Sequence, residues 1–268
     1  MVKNILQKIV ETKKIEIAEA KKRVSEAELR EQVEGRDNRR PFTERLHRTH
    51  QAGTGIIAEI KRASPSRGVI RQGIDAAWQA EKYEQGGATA ISVLTDPQYF
   101  QGSFEDLKNA RANSSLPVLR KDFLIDAYQV YESAAMGADA ILLIVRILSE
   151  SRLTELTALS RKLKLDALVE IHDTMDLEKA TAAGAELIGI NNRDLRTFKT
   201  DLTVATGLVS RFKENQIPIA ASGISSREDI VNTKKAGINN FLIGESLVRA
   251  EDTVAFLKSL VNAPDQPA

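Results

Sequence analysis

The stretch AYQVYESAAMGADAILLIV (127–145) holds one complete unit of the pattern that decides the fold. Its first part, up to Gly137, is predicted to be a helix, and the apolar run DAILLIV (139–145) is predicted to be a buried strand. Glycine tolerates the left-handed conformation in which many helices end, which explains the residue type between the two elements. The stretch therefore predicts a helix followed directly by a strand.

This unit recurs through most of the chain. Gly87, Gly184 and Gly237 also end predicted helices just before strands, at a spacing of about 50 residues, the size of two strand–helix units. The predicted strands are 55–61, 89–95, 117–123, 139–145, 166–171, 186–191, 218–222 and 240–244. Eight strands alternating with helices predict the α/β class and a closed (β/α)8 TIM barrel. The alternative is a doubly wound open sheet, which usually has fewer strands and a glycine-rich turn after the first; the sequence lacks that turn.

A different pattern precedes the barrel. Residues 4–34 carry apolar residues at helical spacing in a background rich in Lys and Glu, and Gly35 ends the pattern. A polar linker closed by Pro41 follows. We therefore predict an N-terminal helical extension (1–48), a catalytic barrel domain (49–262) and a frayed tail (263–268).

Composition excludes several classes of function. Lys plus Arg (38) nearly balances Asp plus Glu (37), so bulk charge gives no reason to expect nucleic acid or a membrane surface as partner. No apolar run approaches the roughly 20 residues that span a bilayer, and charges interrupt the N-terminus too often for a signal peptide. The absence of cysteine fits a cytoplasmic protein, and with only three histidines no histidine-based metal site is expected; composition leaves carboxylate-bound Mg²⁺ open.

Charged residues stand at the ends of several predicted strands. In a (β/α)8 barrel the active site lies at the carboxyl ends of the strands. Six polar residues occupy such positions: Glu59, Lys61, Lys121, Glu170, Asn191 and Ser222. Because alternate residues of a strand share a face, Glu59 and Lys61 point the same way as Ile57. A structural salt bridge explains any one pair, but four ionisable groups from three strands favour a catalytic site.

The last two strands suggest a phosphate site. Ser222 and Gly223 follow the seventh strand, and Gly244-Glu245-Ser246 follows the eighth. Barrels commonly bind phosphate in these loops, where backbone N–H groups and a helix N-terminus converge. Ser64, in the loop after the first strand, adds a hydroxyl donor.

Long motifs occur in order at seven strand ends. They are IAEIKRASPSRG (57–68), ISVLTDPQYFQGS (91–103), PVLRKDF (117–123), LVEIH (168–172), IGINNRDL (188–195), ASGI (221–224) and FLIGESL (241–247). Together they resemble the indole-3-glycerol phosphate synthase family of tryptophan biosynthesis, over essentially the whole chain. The resemblance implies a carbon–carbon lyase that converts 1-(o-carboxyphenylamino)-1-deoxyribulose 5-phosphate into indole-3-glycerol phosphate, CO₂ and water without a cofactor.

The resemblance also implies roles for the polar residues. Lys121 would be the general acid at the substrate carbonyl, and Lys61 would pair with the substrate carboxylate. Glu170 would act in the dehydration as base or acid, Glu59 would orient the lysines and take part in proton transfer, and Asn191 would hold a hydroxyl group.

The remaining family positions imply binding roles. Arg193 would support the site. Phosphate would bind Ser64, Ser222, Gly223, Gly244, Glu245 and Ser246, and the aromatic ring would contact Phe100, Phe123 and Leu195. The resemblance implies a small phosphorylated substrate and leaves open contact with other tryptophan-pathway enzymes, the oligomeric state and the role of the N-terminal extension.

One position departs from the family pattern. The family usually has a glutamate just before the Ser-Gly-Ile turn, where this chain has Ala221. With both lysines retained, we expect activity to be reduced but not abolished. Two alternatives follow: a non-catalytic or weakened barrel that binds the same ligand, and another phosphosugar barrel isomerase or synthase.

Overall fold

The computed structural model describes residues 5–194 and 197–262. Three helices come first: α1 (Ile5–Arg23), α2 (Glu26–Val33) and α3 (Phe42–Gln51). Eight strands follow: β1 (Gly55–Ile60), β2 (Ala90–Leu94), β3 (Val118–Lys121), β4 (Ala140–Ile144), β5 (Asp166–Ile171), β6 (Leu187–Asn191), β7 (Ile217–Ala221) and β8 (Asn240–Ile243). The helices among and after them are α4 (Ala76–Gln85), α5 (Pro97–Phe100), α6 (Phe104–Ala112), α7 (Ala127–Ala135), α8 (Glu150–Lys162), α9 (Thr174–Ala182), α10 (Thr203–Leu208), α11 (Arg227–Lys234), α12 (Glu245–Arg249) and α13 (Thr253–Val261).

The eight strands form a closed parallel barrel, which confirms the predicted fold. Strands β1 and β8 close it, with Gly55 opposite Asn240. Side chains alternate between an inner and an outer core: Ile57 belongs to the inner apolar cluster, whereas Ile56 and Ala58 belong to the outer one. Residues that share the parity of Ile57 therefore point into the barrel, as predicted.

Glycines end the helices before the even-numbered strands. Gly87, Gly137, Gly184 and Gly237 have φ of +86°, +87°, +75° and +92°. An L side chain is disfavoured in this conformation, which gives the physical reason for the repeat seen in the sequence.

The N-terminal pattern is two helices rather than one continuous helix. The chain breaks at Ser25, whose hydroxyl accepts a hydrogen bond from the N–H of Glu28, while the carboxylate of Glu28 accepts one from the N–H of Ser25. This capping box starts α2.

Helix α3 closes the amino-terminal end of the barrel. Phe42 and Leu46 are fully buried in the inner apolar cluster, and the side-chain amide of Asn240 donates to the backbone oxygen of Leu46. The predicted boundary between residues 48 and 49 falls inside this helix. Among the described residues no helix is long and apolar enough to cross a membrane.

Candidate active site

Two lysine–glutamate pairs face each other at the carboxyl end of the barrel. The Nζ of Lys61 lies 2.5 Å from Glu59 Oε1, and both residues come from the end of β1. The Nζ of Lys121, at the end of β3, lies 3.6 Å from Glu170 Oε2, at the end of β5. The glutamate side chains are nearly inaccessible (5% each), whereas the lysine side chains are partly exposed (18% each). The lysines are therefore the members of each pair that a ligand can reach.

Glu170 is held ionised by its neighbours. Burial alone would raise its pKa, but the charge of Lys121 and hydrogen bonds from Asn191 and Lys121 lower that pKa below the ordinary value. The Nδ2 of Asn191 donates to Glu170 Oε1 at 3.2 Å, and Asn191 Oδ1 accepts from the N–H of Arg193 at 3.0 Å. A carboxylate with a lowered pKa is a proton acceptor at neutral pH.

Glu59 is fixed by close packing at the end of β8. A Cβ at Gly244 would collide with the Glu59 carboxylate, so any larger residue there would force this carboxylate to shift from its present position beside Lys61. The hydroxyl of Tyr83 also donates to the backbone oxygen of Glu59 at 2.8 Å. The loop after β8 thus both positions an ionisable group and borders the cavity.

One cavity of about 470 Å³ joins these groups. It is lined by every predicted site residue that the structure describes: Glu59, Lys61, Ser64, Phe100, Lys121, Phe123, Glu170, Asn191, Arg193, Ser222, Gly223, Gly244, Glu245 and Ser246. Leu195, the remaining predicted contact, lies outside the described residues.

The loops after β7 and β8 form the polar side of the cavity. Ser222 and Gly223 have φ of +69° and +88°, and a Cβ on Gly223 would lie 2.5 Å from the Thr200 side chain. The hydroxyl of Ser246 donates to the backbone oxygen of Ile224 at 3.1 Å, which ties the two loops together. The first residues of α12 carry N–H groups that have no partner within the helix, so this side presents backbone donors.

The opposite side of the cavity is apolar. The rings of Phe100 and Phe123 lie 6.0 Å apart, tilted by 38°. Ile5, Leu6 and Ile9 of α1 also line the cavity. This side suits an aromatic group, and the two faces together suit a ligand with a ring at one end and an anion at the other.

The sequence did not predict several lining residues. Their apolar spacing shows that Ile5, Leu6 and Ile9 pack, but not that α1 reaches the cavity. Arg67 and Arg249 also line it, and both pair with Glu245, with Nε to Oε1 distances of 3.5 and 3.2 Å. The only sequence feature that could have identified these two arginines is their position, one in the loop after β1 and the other in α12.

Ala221 lies inside the cavity. It ends β7 opposite Asn191 of β6 and Leu242 of β8, and its methyl group lines the pocket. A longer side chain at this position would extend toward the Glu170–Asn191 pair. The cavity is therefore larger at this point than it would be with a carboxylate side chain.

A family model and many curated relatives match the chain. The model described as indole-3-glycerol phosphate synthase matches residues 6–260. The indole-3-glycerol phosphate synthase of Desulfosudis oleivorans is 65% identical over 259 residues, which cover 96% of this chain and 98% of the relative. That of Syntrophobacter fumaroxidans is 49% identical over 260 residues, which cover 97% of this chain and 98% of the relative.

Solved structures resemble the fold at low identity. A 3-hexulose-6-phosphate synthase from Salmonella typhimurium has a TM-score of 0.63 at 11% identity, covering 78% of this chain and 97% of that chain. A thiamine phosphate pyrophosphorylase from Pyrococcus furiosus has a TM-score of 0.59 at 16% identity, covering 79% of this chain and 95% of that chain. At these identities the likeness shows the barrel fold alone.

Proposed function

The chain belongs to the indole-3-glycerol phosphate synthase family, and from that premise we propose how its residues perform the family's reaction. It is a carboxy-lyase that converts 1-(o-carboxyphenylamino)-1-deoxyribulose 5-phosphate into indole-3-glycerol phosphate, CO₂ and water. None of the comparisons favours a non-catalytic barrel or a different phosphosugar enzyme.

The substrate binds across the cavity. Its phosphate lies against Gly223, Gly244 and the first turn of α12, with hydroxyl donors from Ser64, Ser222 and Ser246. Its aromatic ring lies between Phe100 and Phe123 with the apolar face of α1. Holding both ends forces the flexible middle of the substrate to bend, which brings the ring carbon toward the carbonyl carbon.

Ring closure and decarboxylation depend on the lysines. The ring carbon that bears the carboxylate attacks the carbonyl carbon, and Lys121 donates a proton to the carbonyl oxygen as the new carbon–carbon bond forms. Lys61 pairs with the substrate carboxylate and holds it out of the ring plane. The bond to the carboxylate then breaks, CO₂ leaves, and its electron pair restores the aromatic ring.

Dehydration depends on the carboxylates. The hydroxyl group formed in the first step leaves as water, pushed by the ring nitrogen, and a proton leaves the neighbouring CH₂ carbon. The lowered pKa of Glu170 supports the role of base for this proton rather than that of acid. Asn191 orients Glu170, Arg193 supports Asn191, and Glu59 orients Lys61.

The observation that carries this proposal is the pair of accessible lysines, each beside a buried glutamate, between a polar and an apolar wall.

The test incubates pure protein with the substrate and follows indole fluorescence. Lys121→Ala should lower kcat by about 10²–10⁴-fold, the usual contribution of a positioned acid, with product affinity nearly unchanged. Lys162→Ala, an exposed lysine on α8, is the control, and unchanged turnover in Lys121→Ala would refute the general-acid role.

We further propose residues 49–262 as the catalytic domain and the cytoplasm as the site of action, since the family is biosynthetic. The scheme requires no cofactor, and that expectation stays a prediction. Contact with other tryptophan-pathway enzymes also stays open to experiment.

A further inference from the structure

A buried lysine of the N-terminal extension connects two loops of the active site. Lys13, on α1, is only 1% exposed. Its Nζ lies 2.7 Å from Asp96 Oδ2, in the loop after β2, and 2.9 Å from Asp122 Oδ1, in the loop after β3. Both aspartates are themselves buried, and Glu16 on α1 adds a partly exposed carboxylate at 2.7 Å. One ammonium group therefore bridges two buried carboxylates from different loops.

The same two carboxylates hold the backbone of the two aromatic residues. Asp96 Oδ1 accepts hydrogen bonds from the N–H groups of Tyr99 and Phe100, at 2.6 and 3.2 Å. Asp122 Oδ1 accepts one from the N–H of Phe123 at 2.8 Å. Each aspartate therefore fixes the main chain at one of the two facing rings, and Lys13 fixes the aspartates relative to each other.

This arrangement is costly as a device for stability alone. Burial would by itself lower the pKa of Lys13, but the charges of Asp122 and Asp96 outweigh it and raise that pKa, so the lysine is charged. An apolar substitute for a buried ion network is often as stable or more stable. Without Lys13, Asp122 would still pair with Arg120 at 3.3 Å, but Asp96 would lose its bridge to Asp122. Repulsion between the two buried carboxylates would then act to separate the loops that carry Phe100 and Phe123.

We propose that Lys13 is a positioning residue for the aromatic subsite: by bridging Asp96 and Asp122 it fixes the separation of Phe100 and Phe123. The inference rests on the proposed assignment of these rings to the aromatic half of the substrate. Because Asp122 directly follows Lys121, the same bridge also restrains the strand end that carries the proposed general acid. The N-terminal extension is, in this view, part of the specificity of the site.

A purely structural role for Lys13 predicts a different outcome. If Lys13 only attached α1 to the barrel, its loss would lower the stability of the protein. It would then weaken the binding of all ligands equally or of none. A positioning role predicts weaker binding of ligands that contain a ring and unchanged binding of a ligand that has the phosphate but no ring. Two competitive inhibitors separate these cases: the product indole-3-glycerol phosphate, and glycerol 3-phosphate, which lacks the ring.

The experiment measures both inhibition constants in Lys13→Met. Lys22→Met is the matched control, because Lys22 lies on the same helix, is exposed and pairs with Glu19. We expect Lys13→Met to raise the inhibition constant of indole-3-glycerol phosphate by about tenfold, a typical coupling between contacting groups. The inhibition constant of glycerol 3-phosphate should stay within a factor of about two of the wild-type value. The double variant Lys13→Met/Asp96→Asn removes one charge of each sign and keeps the acceptor for the Phe100 N–H, so it should regain most of the lost affinity.

Other outcomes overturn the inference. Equal weakening of both inhibitors, or no weakening, would show that Lys13 does not position the rings; where Lys13→Met does not fold, Lys13→Gln is measured with the same expected split. Phe100→Ala tests the premise separately. If Phe100→Ala leaves indole-3-glycerol phosphate binding intact, the ring assignment fails; if it weakens binding and Lys13→Met does not, only the role of Lys13 fails.

Discussion

Position 221 places a methyl group where the family pattern has a carboxylate. The side chain ends β7 on the inner face of the barrel, next to Asn191 in the register of the sheet. Glu170 is therefore the carboxylate that remains near Asn191, and Glu59 lies across the cavity paired to Lys61. The proton chemistry rests on fewer carboxylates than the family pattern provides.

Ala221→Glu should therefore raise kcat. A carboxylate here would reach the Glu170–Asn191 pair and add a second group for proton transfer or hydrogen bonding, an effect we expect to be about tenfold, below the full contribution of a general base. The measurement compares kcat by indole fluorescence in the wild type, in Ala221→Glu and in Ala221→Gln, which has similar volume without charge. An equal change in both variants would attribute the effect to filled space, and a wild type without any activity would contradict the expectation that Glu59 and Glu170 suffice.

The alternation of side chains explains which single residues could be predicted. Glu59, Lys121 and Glu170 were found because strand parity places each on the inner face at a strand end. Lys13 was missed because a lysine in a helix rich in Lys and Glu is usually solvated, and nothing local marks it as buried. Its partners, Asp96 and Asp122, lie more than 80 residues away in the sequence, so only the folded chain reveals the bridge.

At the scale of elements, strands were more predictable than the N-terminal helices. Barrel strands are covered on both faces, so they appear as short, continuous apolar runs between glycines and prolines. Predicted strand 117–123 ends early, at Lys121, because Asp122 accepts the N–H of Phe123 and turns the chain. Helix α3 was missed because it buries only Phe42 and Leu46 among its ten residues, too few for a recognisable period.

The contact between α1 and the β3 loop should give stability a distinct pH dependence. Burial would raise the pKa of Asp122, but Arg120 and Lys13 lower it below the ordinary value. Because the folded-state pKa is lowered, this contribution is present above the unfolded value of about 3.9 and is lost as the pH falls through the folded-state pKa. The pKa of Lys13 is raised, so its contribution is present below about pH 10.4 and is lost as the pH rises through its folded-state pKa.

Lys13→Met should consequently lower the free energy of unfolding by about 3–5 kcal/mol at pH 7, the cost of removing one partner from a buried ion pair, with Arg120 as the cation that remains beside Asp122. The difference from the wild type should shrink as the pH falls below about 4 and through the lowered folded-state pKa of Asp122, where the contribution of this carboxylate to the wild-type stability is lost. Urea unfolding at pH 7 and at about pH 2 measures it, with Lys22→Met as control. A difference that stays constant between pH 7 and about pH 2 would contradict the ion-pair origin.

The whole molecule divides its N-terminal extension between the two ends of the barrel. Helix α3 closes the amino-terminal end, where Leu46 packs in the inner core, and α1 lies at the carboxyl end, where Ile9 lines the cavity. In barrels of this class, the amino-terminal end serves stability and the carboxyl end serves catalysis. The two segments of the extension are adjacent in sequence but should differ in what their loss affects.

Substitutions at the two ends should therefore have opposite signatures. Leu46→Ala, which removes a fully buried side chain from the inner core, should lower the free energy of unfolding by about 2–5 kcal/mol while kcat/KM at 25 °C stays near the wild-type value. Phe100 is half-buried on the cavity wall. Phe100→Ala should reduce kcat/KM by about tenfold or more, because an aromatic contact contributes about 0.5–1.5 kcal/mol beyond its buried area. The free energy of unfolding should change little. Urea unfolding and steady-state kinetics on the same samples measure both quantities. If Leu46→Ala lost activity in folded protein as strongly as Phe100→Ala, packing at the bottom of the barrel would have to be coupled to the geometry of the site, and the separation of stability from function along the barrel axis would fail.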